Sequence, residues 1–201
     1  MPGPRWADPF LSSLPGYDEL TSRFAGCSFE NGLYRLHDAS SGRRAADLIG
    51  EVFPELSTRS HSFAHSWRGD QFVIDSAGAP APDGPPVVML EPGTCQYFVL
   101  PMSFSSFHER FGELREPVFA ASFFAAWAAA NPRSVPLGPT QCVGYKLPLF
   151  LGGKDSPDNL QVSELEVYWR VCGQFRKNSH QAAAPNGSAT SALPPLKRRF
   201  T

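Results

Sequence analysis

The sequence has no hydrophobic run long enough to cross a membrane. Its longest apolar candidate, residues 117–130, falls short of the roughly 18 residues that a transmembrane helix needs, and it contains Ser122. The N-terminus, Met1–Trp6, also lacks the apolar run of a signal peptide. We therefore predict a cytoplasmic protein that makes no direct contact with a membrane.

Net charge is also nearly absent, because 18 lysines and arginines face 19 aspartates and glutamates, for a formal charge of −1. A chain so close to neutrality has no general attraction for nucleic acid or for an anionic surface. We predict no direct binding to nucleic acid, and any charged partner must meet a local patch.

Cysteines are few and widely separated. Cys27, Cys95, Cys142 and Cys172 include no pair with the two-residue gap of a zinc or redox motif. Their neighbours are mainly apolar, and a chain of 201 residues can bury a sufficient core without disulfides. The sequence therefore predicts four reduced, buried thiols.

Motifs for catalysis or for cofactor binding are missing as well. The most distinctive segment, Gln141–Gly153, is rich in glycine and aliphatic residues but contains no nucleophile–base pair and no metal-ligand spacing. Gly152 and Gly153 match neither a dinucleotide fingerprint nor a Walker loop. We predict that the protein is not an enzyme, holds no cofactor and uses this segment as packed architecture.

What the chain does have is aromatic residues, with 16 phenylalanines and 4 tryptophans available for a core. Alternating or β-branched patterns predict strands at Ser60–Ser66, Gln71–Asp75, Val87–Glu91 and Cys95–Leu100, joined as antiparallel hairpins. Apolar spacings of three and four predict the helices, which are residues 8–25 with a break at Pro15-Gly16, 43–52 capped by Ser41, 104–111, 117–129 starting at Pro117, and 164–175 capped by Ser163. The fold class is thus α+β, with a mostly antiparallel central sheet and helices packed at its face and ends.

Composition divides the chain into three parts. Residues 1–16 are predicted to be an N-terminal extension, and residues 17–177 a single α+β domain. From residue 178 to 201, alanine, serine and proline replace the aromatics, which predicts a disordered tail with a basic end.

Histidines offer a weak alternative to a purely structural interpretation. His61 and His65 are four apart in a predicted strand, where such residues share a face, but zinc would need further ligands that the sequence does not identify. His108 lies beside Glu109 in a predicted helix, where a surface position is the ordinary explanation. A small hydrolase or metal enzyme built on these histidines is the weakest of the functional hypotheses.

Two predicted turns are candidate partner contacts. Trp67 and Arg68 are residue types that dominate protein–protein hot spots, although Trp67 could instead pack in the core while Arg68 and Asp70 are solvated. The second turn, Glu91-Pro92-Gly93-Thr94, is better explained as an ordinary hairpin turn.

Together, several short segments of the sequence resemble the C-terminal domain of type VI secretion system immunity proteins, which is similar to the SUKH superfamily. The resemblance spans about residues 17–176. It is carried by Gly26-Cys27-Ser28-Phe29, Asn31-Gly32-Leu33-Tyr34-Arg35, Phe63, Trp67, Gly69, Phe72, Asp75, the Glu91–Thr94 turn, the Cys142–Gly153 block, Asn159, Tyr168, Trp169, Gly173 and Gln174.

The resemblance implies a non-catalytic α+β protein that neutralises a cognate secreted toxin, often a nuclease, in the bacterial cytoplasm. We expect steric occlusion by a sheet face and hairpin tips, with acidic residues complementing a basic toxin. The predicted partner-binding residues are Trp67, Arg68, Asp70, Asp75, Glu91, Tyr145 and Lys146. The rival hypothesis is a regulatory or peptide-binding scaffold with the same fold and no link to a toxin.

Overall fold

A computed structural model describes residues 3–79 and 82–182, with side chains through Asn178. The last helix continues through Ala182, so the first residues assigned to the tail are helical and the predicted helix end at Phe175 was too early. The remainder of the predicted tail lies outside the described residues.

In these ranges the strands form a six-stranded antiparallel sheet in which each strand pairs with the next along the chain, and a separate two-stranded ribbon. The sheet consists of β1 (Ser28–Phe29), β2 (Tyr34–Leu36), β3 (Ser60–Ser66), β4 (Gln71–Asp75), β5 (Val87–Glu91) and β6 (Gln96–Leu100), and the ribbon of β7 (Gln141–Tyr145) and β8 (Leu160–Glu164). Short turns join β1 to β2, β3 to β4 and β5 to β6, whereas residues 37–59 connect β2 to β3. Gly69, in the β3–β4 turn, adopts a left-handed backbone at φ +83°. The predicted α+β class is confirmed.

Helices cover both faces of the sheet. They are α1 (Pro9–Ser12), α2 (Tyr17–Phe24), α3 (Ala39–Val52), α4 (Phe104–Glu109), α5 (Phe111–Leu114), α6 (Ala121–Ala130) and α7 (Leu165–Ala182). Successive residues of a strand point to opposite faces, so Phe72 and Ile74 join one core and Val73 joins the other.

The larger core lies between the sheet and the layer of α1, α2 and α4–α6, and it is dominated by aromatic rings. Phe63, Phe72, Phe107 and Phe119 are all fully buried in it. The smaller core lies under α3 and α7 and centres on Trp169, whose indole N–H donates to the carbonyl of Gly69 at 2.7 Å. Most of the buried aromatic residues of the chain therefore lie in the larger core.

Two predicted helix starts were wrong, because capping groups outside the apolar pattern set them, and one further predicted cap was wrong. Asp38, not Ser41, is the N-cap of α3, and Ser41 sits at the third helical position of a reciprocal capping box. Ser163 pairs with Cys142 inside β8, so it does not cap α7.

The helix predicted from Pro117 begins instead at Ala121. Ala120 adopts a left-handed backbone at φ 48°, and the Glu116 carboxylate accepts hydrogen bonds from the Ser122 backbone N–H at 3.0 Å and from its hydroxyl at 2.8 Å. Phe119 therefore precedes α6 and packs in the aromatic core.

The cysteine prediction is borne out in part. All four cysteines are free thiols, but Cys27 and Cys95 are only half-buried whereas Cys142 and Cys172 are buried. In the described ranges, no helix combines the length and the apolar character that spanning a membrane requires.

Candidate functional site

Four of the seven predicted partner-binding residues come together at one end of the sheet. Arg68 and Asp70 lie in the β3–β4 turn, Glu91 ends β5, and Tyr145 ends β7. We call this set, with Asp155, the Arg68 cluster. Its members lie far apart in sequence but adjoin because the ribbon packs against the ends of the central strands.

Ser66 shapes the turn that presents Arg68. Its hydroxyl donates to the Asp70 carboxylate at 2.6 Å and accepts from the backbone N–H groups of Arg68 at 3.1 Å and Asp70 at 3.2 Å. Gly69 is required between them, because a Cβ there would lie 3.0 Å from the Leu165 side chain and 3.2 Å from Cys142 Sγ. The turn is thereby held rigidly against the ribbon and α7.

The Arg68 guanidinium lies between two carboxylates without a close hydrogen bond to either. Its Nε atom is 3.5 Å from Asp70 Oδ2, and its Nη2 atom is 3.6 Å from Glu91 Oε1. Burial lowers the pKa of Arg68. The negative charges of Asp70 and Glu91 raise it by more than burial lowers it, so the net shift of the pKa is upward. The arginine therefore stays charged and neutralises part of the acidic surroundings.

Glu91 and Tyr145 are tuned by the same environment. Burial, followed by repulsion from Asp70, raises the pKa of Glu91, whose carboxylate also accepts a hydrogen bond from the Thr94 hydroxyl. Burial likewise raises the pKa of Tyr145, whose hydroxyl donates to Asp155 Oδ1 at 2.7 Å. These contacts describe a polar network inside the protein, where Asp70 and Tyr145 are both buried.

Trp67 and Asp75 take no part in the ion pairs of this network, although the Arg68 guanidinium lies 6.0 Å from the centroid of the Trp67 ring. Trp67 is fully buried and its indole N–H donates to the Phe119 carbonyl at 2.7 Å, so the alternative of core packing is what the structure shows. Asp75 lies at the opposite end of β4 from Asp70 and is ion-paired with Arg59. Asp70, Asp75 and Glu91 therefore do not form one acidic face.

The expected open sheet face is also not what the structure presents. Helical layers cover the central strands on both sides, and exposed apolar side chains of the sheet are confined to Tyr97 and Val99 of the edge strand β6 within the described ranges. The exposed surface therefore consists of loops, helices and this edge.

The histidines do not form a metal site. A bulge between Ser62 and Ala64 shifts the register of β3, so His61 pairs with Ile74 and His65 with Gln71, which point to opposite faces. The expectation that the two histidines share a face was therefore wrong. Across the described residues no group of three or more His, Cys, Asp or Glu side chains is arranged to hold a metal ion.

His108 is not a surface histidine. Its Nδ1 atom lies 2.8 Å from the Phe104 carbonyl and its Nε2 atom 2.8 Å from the Tyr34 hydroxyl. Since a carbonyl only accepts, Nδ1 donates to it and Nε2 accepts from Tyr34. Burial lowers the pKa of His108 to about 4, so the ring is a neutral structural link between α4 and β2.

The segment between β7 and β8 is the exposed feature nearest the Arg68 cluster. We call residues 146–159 the ribbon loop. The Asn159 side chain clamps it, accepting from the Leu147 N–H at 3.0 Å and donating to the carbonyls of Leu147 and Lys154, each at 2.8 Å. A Cβ at Gly153 would come within 1.9 Å of the Leu147 carbonyl oxygen, so this position requires glycine.

The clamp displays apolar side chains that sequence reasoning missed. Leu147 is 46% exposed and Leu151 is 38% exposed, beside the exposed Lys146, whose ammonium donates to the Asp158 carbonyl. The loop is also anchored to the second predicted turn, because the Leu149 N–H donates to the Gly93 carbonyl at 3.0 Å. The sequence does contain a signal for this exposed loop, namely two leucines among glycines and a proline. We predicted from it that the segment is packed.

The arrangement defines an α+β protein with a partly apolar loop that a side-chain clamp holds in place. In comparisons with known proteins, residues 122–176 match the family of the type VI secretion system immunity protein Tdi1, C-terminal domain. This match confirms the predicted resemblance to type VI immunity proteins over the C-terminal part of the range on which it was expected. No curated protein matches the chain.

Among solved structures, the fold is similar to the crystal structure of Atu4351 from Agrobacterium tumefaciens. The likeness has a TM-score of 0.52 at 12% identity and covers 74% of this chain and 69% of that one. At this identity the likeness concerns the fold alone.

Proposed function

We propose that the protein is a non-catalytic immunity protein that acts in the bacterial cytoplasm by binding a cognate secreted toxin and occluding its active site. The observation that carries the proposal is the match of residues 122–176 to the type VI immunity family. That range contains nearly all of α6, both strands of the ribbon, the ribbon loop and most of α7.

The ribbon loop is the proposed centre of the contact surface. Leu147 and Leu151 offer exposed apolar area, and the Asn159 clamp holds them in place before binding. Such preorganisation lowers the entropy lost on association. Of the predicted partner-binding residues, Lys146 remains a direct contact in this proposal, while Arg68, Asp70, Glu91 and Tyr145 support the loop from beneath.

The test is co-expression with the toxin encoded beside the gene for this chain, in a host that the toxin kills. Wild-type protein should rescue growth and co-purify with the toxin, whereas Leu147→Asp should lose most of the protection because it places a charge in an apolar contact. Val99→Asp is the control, since Val99 is also exposed but lies on β6. Absence of rescue and of a complex with the wild-type protein contradicts the proposal.

A second candidate, a peptide-binding scaffold, is favoured by the edge strand. β6 ends the sheet order, and Tyr97 and Val99 project from it with 45% and 57% exposure. An extended peptide can add to such an edge by backbone hydrogen bonding. Binding of an extended peptide by the purified protein that Val99→Asp abolishes and Leu147→Asp does not, together with no effect of the wild-type protein on the toxin, would favour this function.

A further inference from the structure

The strand β6 ends the central sheet on one side, and its side chains Tyr97 and Val99 are 45% and 57% exposed. An edge strand presents backbone N–H and C=O groups that can pair with another strand, and native proteins protect such edges with charged residues, proline or a β-bulge. The segment Gln96–Leu100 contains no charged residue and no proline, and its pairing with β5 has no register shift. This edge therefore lacks the usual protection against pairing.

The exposed side chains of β6 continue an apolar row of the sheet. Phe98 packs against the larger core, so its neighbours Tyr97 and Val99 point to the opposite face. On that face Tyr97 lies opposite Leu90 and Val99 lies opposite Val88, and both of these β5 residues are buried in the smaller core. The apolar surface of the smaller core therefore extends onto β6, where its last two side chains are exposed.

The sequence of β6 suits antiparallel pairing with the same strand of a second copy. When a two-fold axis relates the two copies at Phe98, Tyr97 of each copy lies opposite Val99 of the other. Aromatic and β-branched side chains form favourable cross-strand pairs, and like charges opposite each other are unfavourable. Residues 94–102 contain no charged residue, so this arrangement brings no like charges together. The edge is thus complementary to itself in shape of pattern and in charge.

We propose that β6 pairs antiparallel with β6 of a second copy of this chain, in a register centred on Phe98, so that two six-stranded sheets form one continuous sheet. Two strands of five residues make a small contact, so the dimer forms and dissociates with protein concentration. The contact uses no residue of the ribbon loop, and it goes beyond the proposed toxin binding.

Sedimentation equilibrium of the full chain tests the proposal at protein concentrations from about 5 µM to about 500 µM. We expect the average mass of the wild type to rise from that of the 22.0 kDa chain towards twice that value. Val99→Glu should weaken the association about tenfold, because it places a charge in both symmetry-related pairs. Val167→Glu is the matched control, since Val167 is 59% exposed but lies on α7, and it should associate like the wild type. A wild-type mass that stays constant over this range would overturn the proposal.

A mixture of two variants tests the register. Tyr97→Lys and Val99→Glu should each associate weakly alone. Mixed in equal amounts they should associate about as well as the wild type, because the register places the lysine of one variant opposite the glutamate of the other and keeps one pair of Tyr97 with Val99. No gain on mixing would contradict this register.

Two further results separate this contact from other uses of the edge. Val99→Glu should still protect against the toxin, so failure of the dimer is distinguishable from failure of the immunity function. A wild-type protein that stays monomeric and binds an extended peptide along β6 would assign the edge to a peptide and overturn pairing between copies.

Discussion

At the scale of single residues, most of the predicted partner contacts are buried side chains. Arg68 is the clearest case, because its side chain is only 14% exposed and its guanidinium lies between Asp70 and Glu91. Removing the cation would leave two carboxylates close together with little water around them. The free energy of such a loss exceeds that of a surface ion pair by several-fold.

We expect Arg68→Met to lower the free energy of unfolding by about 3 kcal/mol, measured by urea denaturation at pH 7. Arg110→Met is the control, since Arg110 and Glu113 form an exposed pair at 2.8 Å, and it should cost less than about 1 kcal/mol. Adding Glu91→Gln to Arg68→Met should recover part of the loss, because it removes one unpaired charge. Equal effects of the two arginine substitutions would show that Arg68 behaves as a surface residue.

At the scale of elements, the smaller core depends on a close approach of α3 and α7. Gly173 makes this approach possible, since a Cβ there would lie 2.7 Å from Val52 Cγ2. Alanine is about 1 kcal/mol better than glycine inside a helix, while overpacking costs about 1–3 kcal/mol. The sign of a substitution therefore depends on Val52.

Gly173→Ala should destabilise the wild-type protein by about 1 kcal/mol yet stabilise a Val52→Ala background by a similar amount. The measurement is a double-mutant cycle of urea denaturation, which isolates the coupling between the two positions. If Gly173→Ala shifts stability in the same direction in both backgrounds, the two helices do not meet as closely as described.

The elements also show what could be predicted from the sequence. The strands Ser60–Ser66, Gln71–Asp75 and Val87–Glu91 were predicted at their observed bounds, because alternation and hairpin turns are local signals. The starts of α3 and α6 were missed because a side chain outside the apolar pattern, Asp38 or Glu116, satisfies the first free N–H groups.

The candidate sites depend on features that the spacing of residue types in the sequence does not reveal, namely a β-bulge and tertiary contacts. The bulge near Phe63 separates His61 from His65, and a bulge leaves no mark in a four-residue spacing. From their residue type, Leu147 and Leu151 are expected in the core. They are exposed because the hydrogen bonds of Asn159 fix the conformation of the loop, and those bonds are tertiary contacts. Four residues of the Arg68 cluster could be selected from the sequence as candidate partner contacts. Their burial could not be predicted, because it follows from the packing of the ribbon against the ends of the central strands.

At the scale of the whole molecule, the two cores bury neutral histidines on opposite sides of the sheet. Burial lowers the pKa of His37 to about 4, of His65 to about 3 and of His108 to about 4. In the unfolded chain each of these groups returns to a pKa near 6.5. Below that pH the unfolded state takes up protons that the folded state refuses, so stability falls as the pH is lowered from about 6.5 towards 4.

We expect the free energy of unfolding to decrease by about 4 kcal/mol for each pH unit in the lower part of this window, the slope for uptake of about three protons. The raised pKa of Glu91 opposes this trend in part, since the folded state then binds a proton more readily than the unfolded state. Carboxylates with lowered pKa, such as Asp38 and Asp75, add to the loss only at more acidic pH. Urea denaturation at intervals from pH 4 to 7 measures the slope, and replacing His65 with the non-titrating phenylalanine should reduce it by about one third. A stability that does not change across this range would show that these histidines are not held neutral in the folded protein.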